Sequence, residues 1–195
     1  VLATQNPKKL KEMNEILSHL GVEVVSEAEL GVRIEVEETG ETFTDNARLK
    51  ATAVMQATGL PAVADDSGLC VDALNGGPGV YSARFGGEGL DDKGRYTLLL
   101  EMLRGQTDRA AHFHTSIVCA FPNGDELVCE GECPGTIAFA PMGEGGFGYD
   151  PVFFVPELRK TFGQLTAEEK ASVSHRGKAL RAFAAALDDY LKGNE

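Results

Sequence analysis

No apolar stretch in this chain approaches the roughly 18 residues needed to cross a bilayer, and nothing at its start reads as a signal peptide. The chain opens on Val1, inside a strand-like pattern and without an initiator methionine, so a few leading residues are expected ahead of it. A cysteine framework is also missing. Cys129 and Cys133 stand four apart, but no second pair and no histidine lies at zinc-like spacing from them or from Cys70 and Cys119. All four are expected to be reduced and mostly buried, as in a cytoplasmic protein. Positive charge is scarce: 18 Lys and Arg against 30 Asp and Glu give a net charge of −12. General binding to a nucleic-acid backbone is therefore disfavoured, and a polyanionic ligand would need a local positive pocket or a metal ion. Internal repeats and low-complexity linkers are absent too.

What is present fits an ordinary folded domain. The 43% hydrophobic and 25% charged content of 195 residues provides enough apolar chain for a core in one domain, 1–195, or two closely joined lobes. Val1 to Ala3 reads as the end of a strand. Asn6 and Pro7 then start a helix whose apolar positions are Leu10, Met13, Ile16, Leu17 and Leu20, with Gly21 closing it. A second strand is expected over Val22 to Val25, a second helix over Thr42 to Thr58 and a third over Asp91 to Leu103. A strand over Ala110 to Phe121 turns at Asn123-Gly124 into a return strand over Glu126 to Glu130. Ser174 caps a last helix with Leu180, Phe183, Leu187 and Leu191 as its apolar positions. This alternation predicts an α/β fold with a mixed sheet.

Asp65-Asp66-Ser67-Gly68, after the apolar run Leu60 to Ala64, is the segment with the most chemistry in it. Two adjacent carboxylates at the expected end of a buried strand lose solvation and repel each other by about 1 kcal/mol or more. A hard divalent cation relieves both penalties, since Mg²⁺ favours oxygen ligands and binds through one or two carboxylates plus substrate phosphates. A solvated Asx turn would also accommodate these residues. Three more segments add to the pattern. Thr4-Gln5-Asn6-Pro7-Lys8-Lys9 puts two lysines into a first helical turn, against the macrodipole, which suits a bound phosphate as well as an ordinary surface. Glu37-Glu38-Thr39-Gly40 is either a solvated connector or a source of one more carboxylate. Gly145-Gly146-Phe147-Gly148-Tyr149-Asp150 is either a packed turn or a loop that leaves a ring face free for a flat ligand. Near the last helix, Lys170, His175 and Arg176 are donors suited to an acceptor-rich ligand.

In this order the segments resemble the inosine triphosphatase family, pyrophosphatases of non-standard purine nucleoside triphosphates. The likeness runs through Ala3 to Lys9, Glu37 to Phe43 with Asn46-Ala47 and Lys50-Ala51, Ala64 to Leu69, Pro78 to Arg84, Gly145 to Pro151, Glu169-Lys170 and Ser174 to Gly177. Gln5 departs from it, standing where family members often carry glycine. The resemblance implies two lobes with the site in a cleft between them, a mixed central sheet flanked by helices, a homodimer, and Mg²⁺-dependent hydrolysis of ITP, dITP and XTP to monophosphate and pyrophosphate. It further implies that Glu38 and Asp66 hold Mg²⁺ with Asp65 in support, and that Asp66 is the base for the attacking water. Thr4, Asn6, Lys9 and Ser67 would hold the triphosphate. Phe147 would stack on the purine, with Gly148, Tyr149, Asp150, Lys170, His175 and Arg176 around the base.

The implied chemistry is coherent. Attack on the α-phosphorus needs neutralised phosphate oxygens, a positioned water and a stabilised leaving group. Hypoxanthine and xanthine present an oxygen at position 6 where adenine presents an amino group, so donors such as His175 and Arg176 select for the former. A pyrophosphatase of modified pyrimidine or methylated nucleotides is the nearest competing reading, and the Phe147 to Asp150 and Ser174 to Arg176 segments argue against it. A binding-only sensor would be expected to lack a carboxylate or Lys9, and a phosphomonoesterase would release phosphate, not pyrophosphate.

Overall fold

Local chemistry sets the helix boundaries. In the computed structural model, which describes residues 1–4 and 6–193, α1 (Pro7–Leu17) begins where the Asn6 side chain accepts the Lys8 N–H and Pro7 brings a fixed φ. A 3₁₀ turn, Ser18–Leu20, carries the chain to Gly21, whose φ of +67° ends it left-handed. Gln5, and with it the departure at that position, lies outside the described residues. Helix α2 (Phe43–Thr58) is capped by Thr42 and closed by Gly59, and α3 (Asp92–Met102) is capped by Asp91. Elements that went unforeseen include α4 (Ala167–Val173), defined by a Thr166–Glu169 capping box and not by an apolar stripe, and the short strands Phe153–Val155 and Lys160–Thr161. Helix α5 (His175–Gly193) starts after Ser174, whose hydroxyl accepts the Gly177 N–H at 3.0 Å. Its Leu191 is exposed, whereas Leu180, Phe183 and Leu187 are buried as expected.

Five strands, β1 (Ala62–Val71), β2 (Ala110–Ala120), β3 (Glu126–Ile137), β4 (Phe153–Val155) and β5 (Lys160–Thr161), form one sheet in that order. β3–β4 and β4–β5 pair antiparallel, with Phe154 opposite Thr136 on one side and Thr161 on the other. Leu2 adds parallel bridges to Val63 and Ser26, so both directions occur in this α/β fold. Four strand expectations need correction, the first being Val1 to Ala3, where Leu2 alone makes isolated bridges. The strand expected over Val22 to Val25 is reduced to the bridge at Ser26, because the Asn14 amide takes both the N–H and the C=O of Val24. β3 runs on to Ile137, because its alternation continues through buried Cys133 to buried Ile137. β1 does not end at the carboxylates: it passes through Asp65-Asp66-Ser67-Gly68 to Val71, which rules out the solvated turn.

Residues 1–66, 115–131 and 178–193 make one compact unit and residues 67–114 and 132–177 a second, with β1, β2 and β3 each contributing to both. The first unit has two apolar layers. Leu2, Met13, Leu17, Val63, Ile117, Leu180 and Phe183 pack together, and Ala47, Ala51, Ala64, Val118 and Ala120 form a thinner layer of small residues. Successive side chains of β1 therefore point to different helices, Val63 toward α1 and α5 and Ala64 toward α2. The second unit is built on Leu69, Leu99, Phe113, Tyr149, Phe153 and Phe162, with Phe113 edge-on to Phe153 at 4.6 Å and parallel to Phe162 at 5.6 Å. Among the described residues no helix is long and apolar enough to cross a membrane.

Candidate active site

The alternation of β1 splits its two carboxylates between two helices. Asp65 follows Val63 toward α1, where Lys9 Nζ donates to its Oδ2 at 2.7 Å, and only 3% of the Asp65 side chain is exposed. Asp66 follows Ala64 toward α2, where Asn46 Nδ2 donates to its Oδ2 at 3.1 Å. One helical turn beyond Asn46, Lys50 Nζ bonds Glu38 Oε1 at 2.7 Å and the Asp65 carbonyl at 2.8 Å, and stands 3.7 Å from Asp66 Oδ1. Glu38 and Asp66 thus converge on one ammonium group. Asn46 and Lys50 matched the family blocks but carried no role in the sequence reading. A signal did exist: Asn46 is an amide in the interior of a helix, where it is a poor former, and a polar side chain buried there needs partners.

The same Asn46 fixes the connector that carries Glu38. Its Oδ1 accepts the Gly40 N–H at 2.8 Å. A Cβ on Gly40 would meet Asn46 Oδ1 at 2.7 Å, so the approach requires glycine. In the Thr4 to Lys9 segment the Asn6 N–H donates to Thr4 Oγ1 at 3.2 Å and the Lys8 N–H to Asn6 Oδ1 at 3.0 Å, which leaves Lys9 in the first turn of α1 and directed at Asp65. Thr4 and Asn6 also line a cavity of about 510 Å³ with Ser26, Glu27 and Arg33. Ser67 follows Asp66 on β1 and is half-buried.

The second unit gathers the residues expected around a base. Asp150 is buried, and its Oδ2 accepts the Phe147 N–H at 2.9 Å and a short bond from Lys170 Nζ. Burial pushes the Asp150 carboxyl above the ordinary aspartate range, and the adjacent Lys170 charge only partly offsets this. The Lys170 ammonium lies 4.6 Å from the centroid of the Phe147 ring and 5.3 Å from that of Phe162, while Phe147 itself is 76% exposed. His175 stacks on Phe113 at 4.7 Å, and half-buried Arg176 follows it in the first turn of α5. Gly148 lends its N–H to Asp92 Oδ2 at 2.7 Å. Tyr149 turns into the core, donates its hydroxyl to the Ser82 carbonyl at 2.7 Å, and is pushed by burial to a pKa of about 12. The first unit thus combines carboxylates and ammonium groups suited to a metal–polyphosphate, and the second an exposed ring among hydrogen-bonding groups suited to a flat heterocycle.

The Ham1 family model matches residues 1–186. The chain belongs to the Ham1 family. It is 49% identical over 193 residues to a dITP/XTP pyrophosphatase of an Exiguobacterium species, covering 99% of this chain and 98% of that one. It is 54% identical over 183 residues to a dITP/XTP pyrophosphatase of Desulforamulus reducens, covering 93% and 91%. Among solved structures, a HAM1 protein of Coxiella burnetii matches with a TM-score of 0.93 and 43% identity, covering 96% of this chain and 97% of that one. The Staphylococcus aureus Ham1 protein matches with a TM-score of 0.91 and 41% identity, covering 100% and 98%. Membership in the Ham1 family bears out the resemblance drawn from the motifs.

Proposed function

We propose that this chain is a nucleoside-triphosphate pyrophosphatase that hydrolyses dITP, ITP and XTP to the monophosphate and pyrophosphate. The observation that carries the reading is the Glu38–Lys50–Asp66 convergence on a chain whose relatives are dITP/XTP pyrophosphatases. The donor set fits Mg²⁺. Two hard carboxylates already share one cation, the Lys50 ammonium, and a divalent ion needs only one or two such ligands beside substrate oxygens. No group of three or more His, Cys, Asp or Glu side chains among the described residues forms a ready cage, which accords with a metal that arrives with its triphosphate. Glu38 and Asp66 would hold it, Asp65 would support them from the other face of β1, and the ion would supply charge neutralisation on the phosphate oxygens.

The chain's own groups do the rest. Thr4, Asn6, Lys9 and Ser67 bind the triphosphate. Lys9, already charge-paired with Asp65, offers an ammonium donor beside the backbone N–H groups that open α1. Asp66 accepts a proton from the water that attacks the α-phosphorus, the bond to the bridging oxygen of the β-phosphate breaks, and pyrophosphate departs with the electron pair. Asn46, donating to Asp66 Oδ2, fixes the orientation of that base. In the second unit, Phe147 offers its ring to the purine, Lys170, His175 and Arg176 supply donors that suit a 6-oxo group, and Asp150 accepts from a ring N–H. The protein works as a cytoplasmic homodimer.

The test is pyrophosphate release from dITP, XTP, GTP, ATP and dTTP at equal concentration, with Mg²⁺ and with a chelator. The wild type should turn over dITP and XTP far above the other three, and only with the metal. Asp66→Asn should lower kcat by about 10²–10⁴-fold with an unchanged circular dichroism spectrum. Equal hydrolysis of all five nucleotides would remove the base-selective reading, and near-normal kcat in Asp66→Asn would remove the proposed base.

A further inference from the structure

Helix α3 begins with two aspartates, and only one of them caps the helix. Asp91 is the N-cap, its Oδ1 accepting the Gly94 N–H at 2.7 Å. Asp92, the next residue, reaches away from α3 and accepts the backbone N–H of Gly148 at 2.7 Å, across 56 positions of sequence. Its other neighbour is Arg95 Nη1, 3.9 Å from Asp92 Oδ1. Gly148 directly follows Phe147 and holds φ at +60°, in the left-handed region, and Gly146 on the other side holds +77°. Two such glycines flank an exposed ring, so the loop has little intrinsic stiffness. Its fixed points include the Phe147 N–H on Asp150, the Gly148 N–H on Asp92 and the Tyr149 hydroxyl on Ser82, beside the Gly145 N–H on the Gly163 carbonyl and the Lys170 ammonium over the ring. The first closes within the loop, whereas Asp92 and Ser82 hold it from outside, Asp92 by its side chain and Ser82 by its backbone carbonyl.

We infer that Asp92 is a positioning residue for purine recognition: by holding the Gly148 N–H it sets the angle at which Phe147 is presented to the base. This rests on the proposed reading of Phe147 as the purine platform. A charge-assisted bond at an exposed strand of loop is modest in strength, and its value lies in preordering: a freed loop must be ordered again each time substrate binds. The consequence falls on substrate affinity, because the bond that Asp92 makes is to the loop carrying the proposed platform.

The experiment compares Asp91→Ala, Asp92→Ala and Asp92→Asn with the wild type by dITP kinetics and thermal melting. Asp92→Ala should raise KM for dITP by about three- to tenfold, the range that corresponds to about 0.7–1.4 kcal/mol, with kcat within about twofold and Tm little changed. Asp92→Asn keeps an oxygen acceptor for the Gly148 N–H and should return KM to near the wild-type value. Asp91→Ala loses the helix cap and should lower Tm while leaving KM unchanged. An unchanged KM in Asp92→Ala, or a KM that rises equally in Asp91→Ala, would overturn the inference. Wild-type protein that fails to release pyrophosphate from dITP would instead overturn the functional reading, so the two failures are told apart.

Discussion

At the scale of single residues, the informative side chains are carboxylates with different neighbours. Asp65 is buried against Lys9, Asp66 is held by the Asn46 amide, and Asp150 is buried against Lys170 yet sits above the ordinary aspartate range because desolvation outweighs the ion pair. That direction fixes a sign. A carboxyl whose folded pKa is raised contributes its stability below the unfolded value and loses it as pH rises through the folded value. Asp150→Asn removes this loss. The difference in Tm, variant minus wild type, should therefore grow more positive as pH climbs from below the usual aspartate value, about 3.9, through the raised one. Thermal melts across that window check it, and a flat or falling difference would show that the Lys170 pair dominates. Asp66 and Asp150 were both legible in the sequence as parts of motifs. Lys50 was visible only as a matching letter and Asn46 only as an amide out of place within a helix, because their value lies in reaching β1 from one face of α2, a juxtaposition that no local pattern encodes.

At the scale of elements, the Asn6 cap with Pro7 placed the start of α1, and the bounds expected for α2 and α3 lie within a residue of those observed. The strands were harder. Period-two patterning found β2, but β1 was cut short at its carboxylates, since polarity inside a buried strand looks like a turn until its partners are known. The Gly143 to Asp150 loop shows how glycine enters an element's design. Gly143 has φ +83°, and a Cβ there would lie 2.2 Å from the Gly163 carbonyl oxygen, whereas Gly89 has φ +87° with nothing within 4 Å. Gly89→Ala should cost about 1–2 kcal/mol from backbone strain alone. Gly143→Ala adds a backbone collision and should cost about 2–4 kcal/mol. Urea denaturation of both variants measures the difference, and equal losses would mean that the 3₁₀ turn at Gly163 moves aside freely.

At the scale of the whole molecule, a net charge of −12 and a polyanionic substrate are reconciled by local arrangement, since Lys9 and Lys50 stand among the carboxylates of the first unit. The proposed homodimer predicts a sedimenting mass of about 42 kDa, twice that of the 20.8 kDa chain. Sedimentation equilibrium at micromolar protein tests this, and a single species at the monomer mass would remove the dimer from the functional reading.

The sequence by itself determined where α1, α2, α3 and α5 begin, the α/β class and the ordered set of motifs that marks the family. These depend on capping, periodicity and spacing along the chain, which are local. Only the tertiary structure decided that Asp65 and Asp66 serve different helices, that Lys50 joins Glu38 to Asp66, and that Asp92 holds the Phe147 loop. Those contacts join residues brought together by packing from distant parts of the chain, and the direction of a strand's side chains is fixed only when its neighbours are in place.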